Sequence, residues 1–390
     1  MLLGFKTELK LNNQQSSLLA QHAGTARHAW NWGLALTKQI LDHNKANPDD
    51  KIKFPTAIDL HKWLVALVKS EHDWYYKVSK YAPQYALRAL ADAWKRCFKK
   101  IAKPPRFKKK GKQDSFTLYG GIKCDHQKIK VPVIGWLKTY ERLPQGYRPK
   151  SVTISQKANR WFISFKIEVE PQTTNKTHEV VGCDLGVKTL ATLSTGETFE
   201  GSKSYRKYEK QLARLQYLNR HKVKGSNNWN KAQRQIAKLH FKIANIRKDT
   251  LHKLTTYLAK NHGKIVIEDL NVSGMMANHK LAKAVQDMGF YEFRRQLNYK
   301  SQLYGSELII ADRWFPSSKL CSNCGHKKES LSLSERIFEC EQCSFVCDRD
   351  LNASLNLASL AVSSTVSACG LVSADTARMK QEDNIKSAHE

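Results

Sequence analysis

The sequence predicts a multidomain α+β protein, in which a small β-barrel is interrupted by helices and is followed by an α/β domain carrying a zinc ribbon. Three observations lead to this prediction. Apolar residues alternate at the start of the chain and again near residues 116–170, helical spacing prevails between these stretches, and two Cys-x-x-Cys pairs interrupt the second half. A chain of 390 residues is long enough for two or three domains with cores of their own.

The predicted barrel comes from two separated stretches, 1–11 and 116–170. In the first stretch apolar residues from Phe5 to Leu11 alternate with charged ones, which indicates a strand. In the second, the alternating run Trp161–Val169 follows a turn, which is typical of a hairpin. We therefore expect the N-terminal strand to complete a barrel formed by the later strands.

Residues 12–115 predict a helical domain inserted in this barrel. Asn12 with Gln15 three residues later forms a capping-box pattern at the start of the first helix, and Pro83 suits the first turn of the third. Each helix shows an apolar stripe, which we expect to be buried. The stripe of the first helix is Leu19, Ala23, Ala26, Trp30, Leu34, Thr37 and Leu41; that of the second is Ile58, Leu60, Trp63, Leu64, Leu67 and Val68.

Residues 178–312 and 346–362 predict an α/β domain. The short apolar run Val180–Val187 indicates a buried central strand, and Gly225 divides a long basic stretch into a helical hairpin. The tail, 363–390, is small and polar, and we expect it to be disordered.

Two Cys-x-x-Cys pairs separated by fifteen residues predict a structural zinc ribbon over 313–345. Each pair presents two thiolates on one tight turn, and two such turns complete a tetrahedral S₄ site for one Zn²⁺. Redox use of a single pair is the alternative, and the second pair counts against it. His326 and Cys347 lie nearby as possible substitutes, but we interpret both as spectators. The predicted ligands are Cys321, Cys324, Cys340 and Cys343.

The charge balance predicts a polyanionic partner. Lys and Arg number 65 against 35 Asp and Glu, which gives a formal net charge of +30. Such an excess favours nucleic acid. No run of about 18 apolar residues or signal peptide supports a membrane partner. The odd count of nine cysteines counts against a secreted disulfide framework, so we place the protein in the reducing cytoplasm.

Positive charge is concentrated in two stretches of the chain, and each stretch has two possible interpretations. Residues 99–112 contain no acid, and 203–260 contain far more basic residues than acidic ones. Either stretch could be a solvated surface, or it could contact phosphates. The predicted nucleic-acid contacts are Lys108, Lys109, Lys110, Lys231, Arg234 and Lys238.

Three acids stand where strands and helices begin or end. Asp184 lies within an apolar strand, Glu268 follows Ile265–Ile267, and Asp350 lies just after the ribbon. Individually, Asp184 could be bonded to backbone, Glu268 could be exposed, and Asp350 could cap a helix. Together they suit two Mg²⁺ ions that hydrolyse a phosphodiester. Asp269 should point to the opposite face of its strand from Glu268.

The chain resembles the TnpB (OrfB) family of bacterial insertion-sequence proteins, which are related to type V CRISPR effectors. The resemblance extends from the first strand to about residue 360. The segments that carry it are Asp184-Leu-Gly, Ile267-Glu-Asp-Leu270, Ser317-Ser-Lys-Leu-Cys-Ser-Asn-Cys-Gly325 and Asp348-Arg-Asp-Leu-Asn-Ala353.

The resemblance implies an RNase H-like RuvC nuclease domain interrupted by the ribbon, with Asp184, Glu268 and Asp350 as the catalytic, Mg²⁺-binding carboxylates. It implies that the barrel is a wedge domain and the inserted helices a recognition domain. It also implies a guide RNA from the transposon end and cleavage of double-stranded DNA beside a short motif. Whether Asp348 replaces Asp350 stays open.

Two other functions are kept as alternatives, namely an RNA-guided DNA-binding regulator that does not cut and an unguided RNase H-like nuclease. Single-strand transposase chemistry is disfavoured. The transposases of such elements need a metal-binding His-hydrophobic-His pair, and none of the fourteen histidines is followed two residues later by another.

Overall fold

A computed structural model describes residues 1–332 and 334–370. Side chains are described through residue 362, except at position 333. The chain divides into two compact units. The first is Met1–Val169 with Gln233–Lys238, and the second is Glu170–Ala232 with the chain from Leu239 onward. Within the described residues, no helix has the length and apolar character needed to cross a membrane.

The first unit contains a seven-stranded antiparallel sheet in which the N-terminal strand is central. Strand β1 pairs with β7 on one side and with β5 on the other, as the predicted assembly requires. The order is β2-β6-β7-β1-β5-β4-β3, so β2 and β3 are the edges of this sheet, whereas a small barrel completed by the N-terminal strand was predicted. The strands are β1 (Leu2–Lys10), β2 (Ser115–Tyr119), β3 (Lys123–Asp125), β4 (Lys128–Val131), β5 (Gly135–Thr139), β6 (Ser151–Lys157) and β7 (Arg160–Glu168).

Three helices lie between β1 and β2: α1 (Asn13–Ala46), α2 (Ala57–Leu64) and α3 (Tyr81–Phe98). The predicted capping box is confirmed, since Gln15 N donates to Asn12 Oδ1 at 2.7 Å and Asn12 N donates to Gln15 Oε1 at 3.1 Å. Helices α1 and α3 pack closely at Gly33. A Cβ there would lie 2.8 Å from a methyl group of Leu87, so a larger residue would displace the Leu87 side chain.

The second helix buries only part of its apolar set. Leu60, Leu64 and Val68 are buried, but Ile58 is 68% exposed and Leu67 is 61% exposed. Residues four apart share one helical face, and Leu60, Leu64 and Val68 form that face. The α-helix also ends at Leu64 and continues as a π-helical turn, Val65–Lys69, so the α-helical spacing does not hold beyond it.

The second unit is built on a five-stranded mixed sheet in the order β10-β9-β8-β11-β12. The first three strands pair antiparallel, and β8, β11 and β12 pair parallel. The strands are β8 (His178–Asp184), β9 (Ala191–Leu193), β10 (Thr198–Phe199), β11 (His262–Glu268) and β12 (Glu307–Ala311).

The described residues of this part of the chain form six α-helices, and the last packs directly on the central strand. A Cβ on Gly182 of β8 would lie 1.9 Å from the carbonyl oxygen of Ser354, so the absence of a side chain there allows the close packing. The helices are α4 (Ser204–Arg220), α5 (Asn227–Asn261), α6 (Val272–Ala277), α7 (Ala282–Met288), α8 (Phe290–Tyr304) and α9 (Arg349–Gly370).

Helix α9 also corrects the predicted start of the tail. The helix runs through Gly370, whereas disorder was predicted from residue 363. Small residues such as Ala and Ser carry little apolar signal, so their helical state is hard to detect in the sequence. The rest of the predicted tail, residues 371–390, lies outside the described residues.

Between β12 and α9 the chain forms a small ribbon. Strands β13 (Ile337–Glu339) and β14 (Val346–Asp348) pair antiparallel. Phe338 is fully buried against Cys321 and Cys340, which forms a small core of its own.

Candidate active site and metal centre

Asp184 and Glu268 meet at the carboxyl ends of two neighbouring strands. Strands β8 and β11 are parallel, and Ile267 lies opposite Cys183. The next residues along the two strands are Glu268 and Asp184, so their positions are adjacent at the same edge of the sheet.

Helix α9 brings the third acid to the same edge. Ser354 lies against Gly182, and Asp350 is one helical turn before Ser354, so the two share a face of α9. One helical turn advances about 6 Å, and the two strand residues from Gly182 to Asp184 advance about 7 Å. Asp350 therefore lies near the carboxyl end of β8, beside Asp184.

The three carboxylates repel one another. Burial, and then the charges of Glu268 and Asp350, raise the pKa of Asp184 to about 8, although Arg349 opposes the shift. A buried Asp184 beside two further carboxylates is stable as an anion at neutral pH only if a cation lies next to it. Oxygen-rich, anionic groups of this kind fit Mg²⁺.

Asp348 has a different role from Asp350. Its Oδ1 accepts hydrogen bonds from Asp350 N at 2.9 Å and Leu351 N at 3.1 Å. Asp348 thus caps the N-terminus of α9, while Asp350 is the acid whose charge acts on Asp184. This geometry favours Asp350 over Asp348 as the third carboxylate.

Glu268 and Asp269 have separate partners. The hydroxyl of Ser317 donates to Glu268 Oε1. Asp269 accepts from Arg294 Nη1 and, at 2.6 Å, from Arg313 Nη2, and these two guanidinium groups lower its pKa. Their hydrogen-bond partners differ, but β11 ends at Glu268 and both side chains line one cleft, so the alternation of a strand does not extend to Asp269. Ser317 was missed as a site residue, although it belongs to the segment that carries the family resemblance.

The four predicted zinc ligands form a compact cluster. Their sulfur atoms all lie within 4.8 Å of one another, and the Cys321–Cys343 and Cys324–Cys340 Sγ pairs are each 3.6 Å apart. Zinc–sulfur bonds of about 2.3 Å in a tetrahedron place sulfurs about 3.8 Å apart, so the cluster fits Zn²⁺. Cys347 Sγ instead contacts the carbonyl oxygen of Asp348 at 3.3 Å, as expected for a spectator.

The carboxylates are spread more widely than the sulfurs. Among the described residues, no other group of three or more His, Cys, Asp or Glu residues is as compact as the cysteine cluster. Two ions about 3.5–4 Å apart need ligands that are spread over a greater distance than the ligands of one ion. The wider spacing of the carboxylates is therefore consistent with a two-metal site.

Helix α9 connects the two sites through asparagines that sequence reasoning missed. Asn352 is fully buried; its Oδ1 accepts from Ser322 N at 2.9 Å, and its Nδ2 donates to the carbonyl of Leu320 at 2.6 Å. Asn356 Nδ2 donates to the carbonyls of Ser317 and Leu320. The helix that carries Asp350 therefore also fixes the first Cys-x-x-Cys turn.

The predicted nucleic-acid contacts differ in exposure. Lys108 is half-buried with its Nζ 4.0 Å from the centre of the Trp30 ring, and burial lowers its pKa. This ammonium group is already engaged by the protein. The other five, Lys109, Lys110, Lys231, Arg234 and Lys238, are exposed.

Three family models match the chain. The first, described as "Probable transposase", covers residues 164–279, and the second, described as "Cas12f1-like, TNB domain", covers 290–357. The third, described as a helix-turn-helix domain, covers 1–46, where the structure has β1 followed by the single helix α1.

Two relatives match over most of the chain. The Escherichia coli (strain K12) protein named "Putative RNA-guided DNA endonuclease InsQ" is 37% identical over 98% of this chain and 97% of its own length. A Streptomyces pristinaespiralis protein named "Putative RNA-guided DNA endonuclease" is 40% identical over 75% of this chain and 74% of its own.

Solved structures share the fold. A chain of the Cas12f1–sgRNA–target DNA complex aligns with a TM-score of 0.53 and 16% identity over 89% of this chain and 83% of that one. The mini-RNA-guided endonuclease CRISPR-Cas_phi3 aligns with a TM-score of 0.53 and 9% identity over 93% and 92% of the two chains. These likenesses support a mixed α+β fold of the same kind.

Proposed function

Because the chain belongs to the TnpB (OrfB) family of insertion-sequence-encoded RNA-guided nucleases, we propose that it is an RNA-guided DNA endonuclease. It binds a guide RNA from the transposon end and cuts double-stranded DNA beside a short target-adjacent motif. Base pairing with the guide selects the sequence, and the protein reads the motif and the shape of the duplex. The names of the relatives and the +30 net charge support this proposal.

The observation that carries the proposal is the meeting of Asp184, Glu268 and Asp350 at one edge of the five-stranded sheet. We propose that this sheet with its helices is an RNase H-like RuvC domain. The three carboxylates would hold Mg²⁺, which supplies a nucleophilic water and stabilises the leaving oxygen of the phosphodiester. Ser317 orients Glu268 through its hydrogen bond, and Asn352 fixes the start of α9 against the ribbon.

The other regions have supporting roles in this proposal. The cysteine cluster holds one structural Zn²⁺, since four thiolates leave no position for a substrate. The antiparallel sheet of the first unit acts as a wedge domain, and α1–α3 act as a recognition domain. Exposed basic residues, including Lys109 and Lys231, contact phosphates.

Two alternatives make different predictions. A DNA-binding regulator would not need a buried Asp184 beside two further carboxylates, so the intact set counts against it. An unguided nuclease would carry no specific RNA and would cut plasmids without regard to sequence.

The deciding experiment begins with protein purified from cells that carry its native locus. Co-purified RNA is sequenced, and a guide of that scaffold is directed to a plasmid with randomised flanking sequence. We expect cutting only of guide-matched plasmids in Mg²⁺ and none in EDTA. Cutting without any matched guide would support the unguided nuclease, and guided binding without cutting would support the regulator.

A further inference from the structure

One short segment of the chain, residues 317–322, contacts both metal-binding groups and is called the bridging segment here. At its start, the hydroxyl of Ser317 donates to Glu268 Oε1. Near its end, Cys321 is the first of the four clustered cysteines. The carboxylate site and the cysteine cluster are therefore joined by a few residues of backbone.

Two asparagines of α9 hold the bridging segment. Asn352 Oδ1 accepts from Ser322 N at 2.9 Å, and Asn352 Nδ2 donates to the carbonyl of Leu320 at 2.6 Å. Asn356 Nδ2 donates to the carbonyls of Ser317 and Leu320 at 2.8 and 2.7 Å. The two asparagines are one helical turn apart, so they share a face of α9. Together they bind the start, the middle and the end of the segment.

These hydrogen bonds are shielded from water. Asn352 is fully buried, and Asn356 and Ser317 are nearly so. Removal of either amide would leave backbone groups of the bridging segment without partners in a buried place, which is costly. In a buried network each hydrogen bond favours the arrangement that the others need. The segment is therefore held in one arrangement as long as its partners are in place.

Helix α9 extends this connection to the third carboxylate. Asp350 is the second residue of α9 and lies two residues before Asn352. The first residue of the helix, Arg349, also contacts the ribbon, since its Nη1 donates to the carbonyls of Ser332 and Glu335, each at 3.1 Å. Contacts with two parts of the ribbon therefore fix the start of α9, where Asp350 lies.

We propose that Asn352 and Asn356 are positioning residues through which occupation of the cysteine cluster strengthens cation binding by the carboxylates. This inference rests on the proposed nuclease function and adds a condition under which its carboxylate site binds metal. Zinc fixes the first Cys-x-x-Cys turn, and the two amides pass that order to Glu268 and Asp350. A site that is ordered in advance by one ligand binds the next at lower cost, and the coupling is reciprocal.

The test measures Mn²⁺ binding to the full chain by electron paramagnetic resonance. Binding that remains in Asp184→Ala lies elsewhere and is subtracted. Zinc is removed from the parent with a selective chelator, which is then dialysed away. We expect the zinc-free parent to bind Mn²⁺ about ten-fold more weakly, and one equivalent of zinc to restore the affinity.

The asparagines are tested by whether this zinc effect persists. In Asn352→Ala, Mn²⁺ binding should be weak with or without zinc, because the connection is already broken. Cys340→Ser should weaken Mn²⁺ binding about ten-fold by itself, and its combination with Asn352→Ala should be little weaker than either single variant. If Asn352→Ala does not fold, Asn356→Ala takes its place, since it loses hydrogen bonds to the same segment.

Gln296→Ala is the matched control. Gln296 is another fully buried amide of the second unit, and its Oε1 accepts from Thr255 on α5 at 3.0 Å. Its removal should lower the melting temperature much as Asn352→Ala does, while the zinc effect on Mn²⁺ affinity stays about ten-fold. This comparison separates positioning from a general loss of stability.

Equal Mn²⁺ affinity of the zinc-loaded and zinc-free parent would overturn the inference and leave the proposed nuclease intact. An undiminished zinc effect in Asn352→Ala and Asn356→Ala would overturn it as well. No Mn²⁺ at the carboxylates in either form would overturn both the inference and the proposed metal chemistry. The assay uses neither guide RNA nor DNA, so coupling in a chain that cuts no guide-matched plasmid would support the inference and refute the proposed function.

Discussion

The zinc cluster and the carboxylate cluster are assembled in opposite ways. All four cysteines of the predicted zinc site lie within 23 residues, and two tight turns bring their sulfurs within 4.8 Å of one another. The three acids lie in segments separated by about eighty residues each, and sheet register and helix packing bring them together. Spacing along the chain therefore predicts the first site almost completely, whereas the second depends on the whole fold of its domain.

The two sites also differ in how their negative charges are arranged. The cysteines surround one point and fit one ion with closed coordination. The acids are more widely spread, and burial with mutual repulsion raises the pKa of Asp184 to about 8. The zinc site should therefore matter mainly for stability and the carboxylate site mainly for chemistry.

The largest expected effect is loss of cleavage at the carboxylates. Asp184→Ala, Glu268→Ala and Asp350→Ala should each slow guide-matched plasmid cleavage on the order of a thousand-fold or more, because metal ions contribute several kcal/mol to the transition state. Guided DNA binding should persist, since phosphate contacts and base pairing lie elsewhere. Asp269→Ala is the matched control and should cost less than about ten-fold, because Asp269 binds arginines. Equal loss in all four variants would mean that Asp269 belongs to the metal site.

The next effect concerns the zinc ribbon. Cys340→Ser should abolish zinc binding and unfold the ribbon, because metal binding supplies much of the folding free energy of such a small module. Zinc content by elemental analysis should fall from about one per chain to near zero. Cys97→Ser is the control, since Cys97 lies on α3 outside the cluster, and zinc content should not change. Full zinc content in Cys340→Ser would point to Cys347 as a replacement ligand.

A smaller effect is expected in thermal stability against pH. The folded pKa of Asp184 is raised above the ordinary 3.8 to about 8, so between these values the folded state holds a proton that the unfolded state has lost. Stability in EDTA should therefore fall as pH rises from about 4 to 8. At pH 8, Mg²⁺ should raise the melting temperature of the parent by a few °C.

Asp184→Asn provides the control for this experiment. Its side chain cannot ionise, so it should be more stable than the parent at pH 8 in EDTA and should respond less to Mg²⁺. A parent protein whose melting temperature rises with pH over this range in EDTA would contradict the electrostatic account of the site.

The smallest expected effect distinguishes Lys108 from Lys109 and Lys110 in the basic stretch 99–112. Lys109→Gln with Lys110→Gln should reduce the salt dependence of guide RNA binding by about one slope unit or more, because both side chains are exposed. Lys108→Gln should change this slope less, since its ammonium group lies over Trp30. Filter binding across several salt concentrations measures both. Equal reductions would mean that Lys108 leaves Trp30 to bind RNA.

Local patterns account for what the sequence predicted well. The capping box at Asn12 and Gln15 and the cysteine ligands depend on residues close along the chain. The strand containing Asp184 was also recognisable, because an acid within an apolar run is costly unless paired or bound to metal.

Features that depend on neighbours could not be predicted in this way. Ile58 and Leu67 looked suited to a core but lie on the exposed side of their helix, because burial follows which face meets α3. The open edges of the first sheet depend on strand order, and the roles of Ser317 and Asn352 depend on where α9 packs. None of these is fixed by spacing along the chain.

The most direct test of the carboxylate site is anomalous diffraction from crystals soaked in Mn²⁺, a substitute for Mg²⁺ with oxygen ligands. Data at the zinc edge locate the cysteine site as an internal reference. We expect manganese peaks among Asp184, Glu268 and Asp350, and their loss in Asp184→Asn while the zinc peak remains. No manganese at these acids, or manganese bound by Asp348 in place of Asp350, would contradict the account.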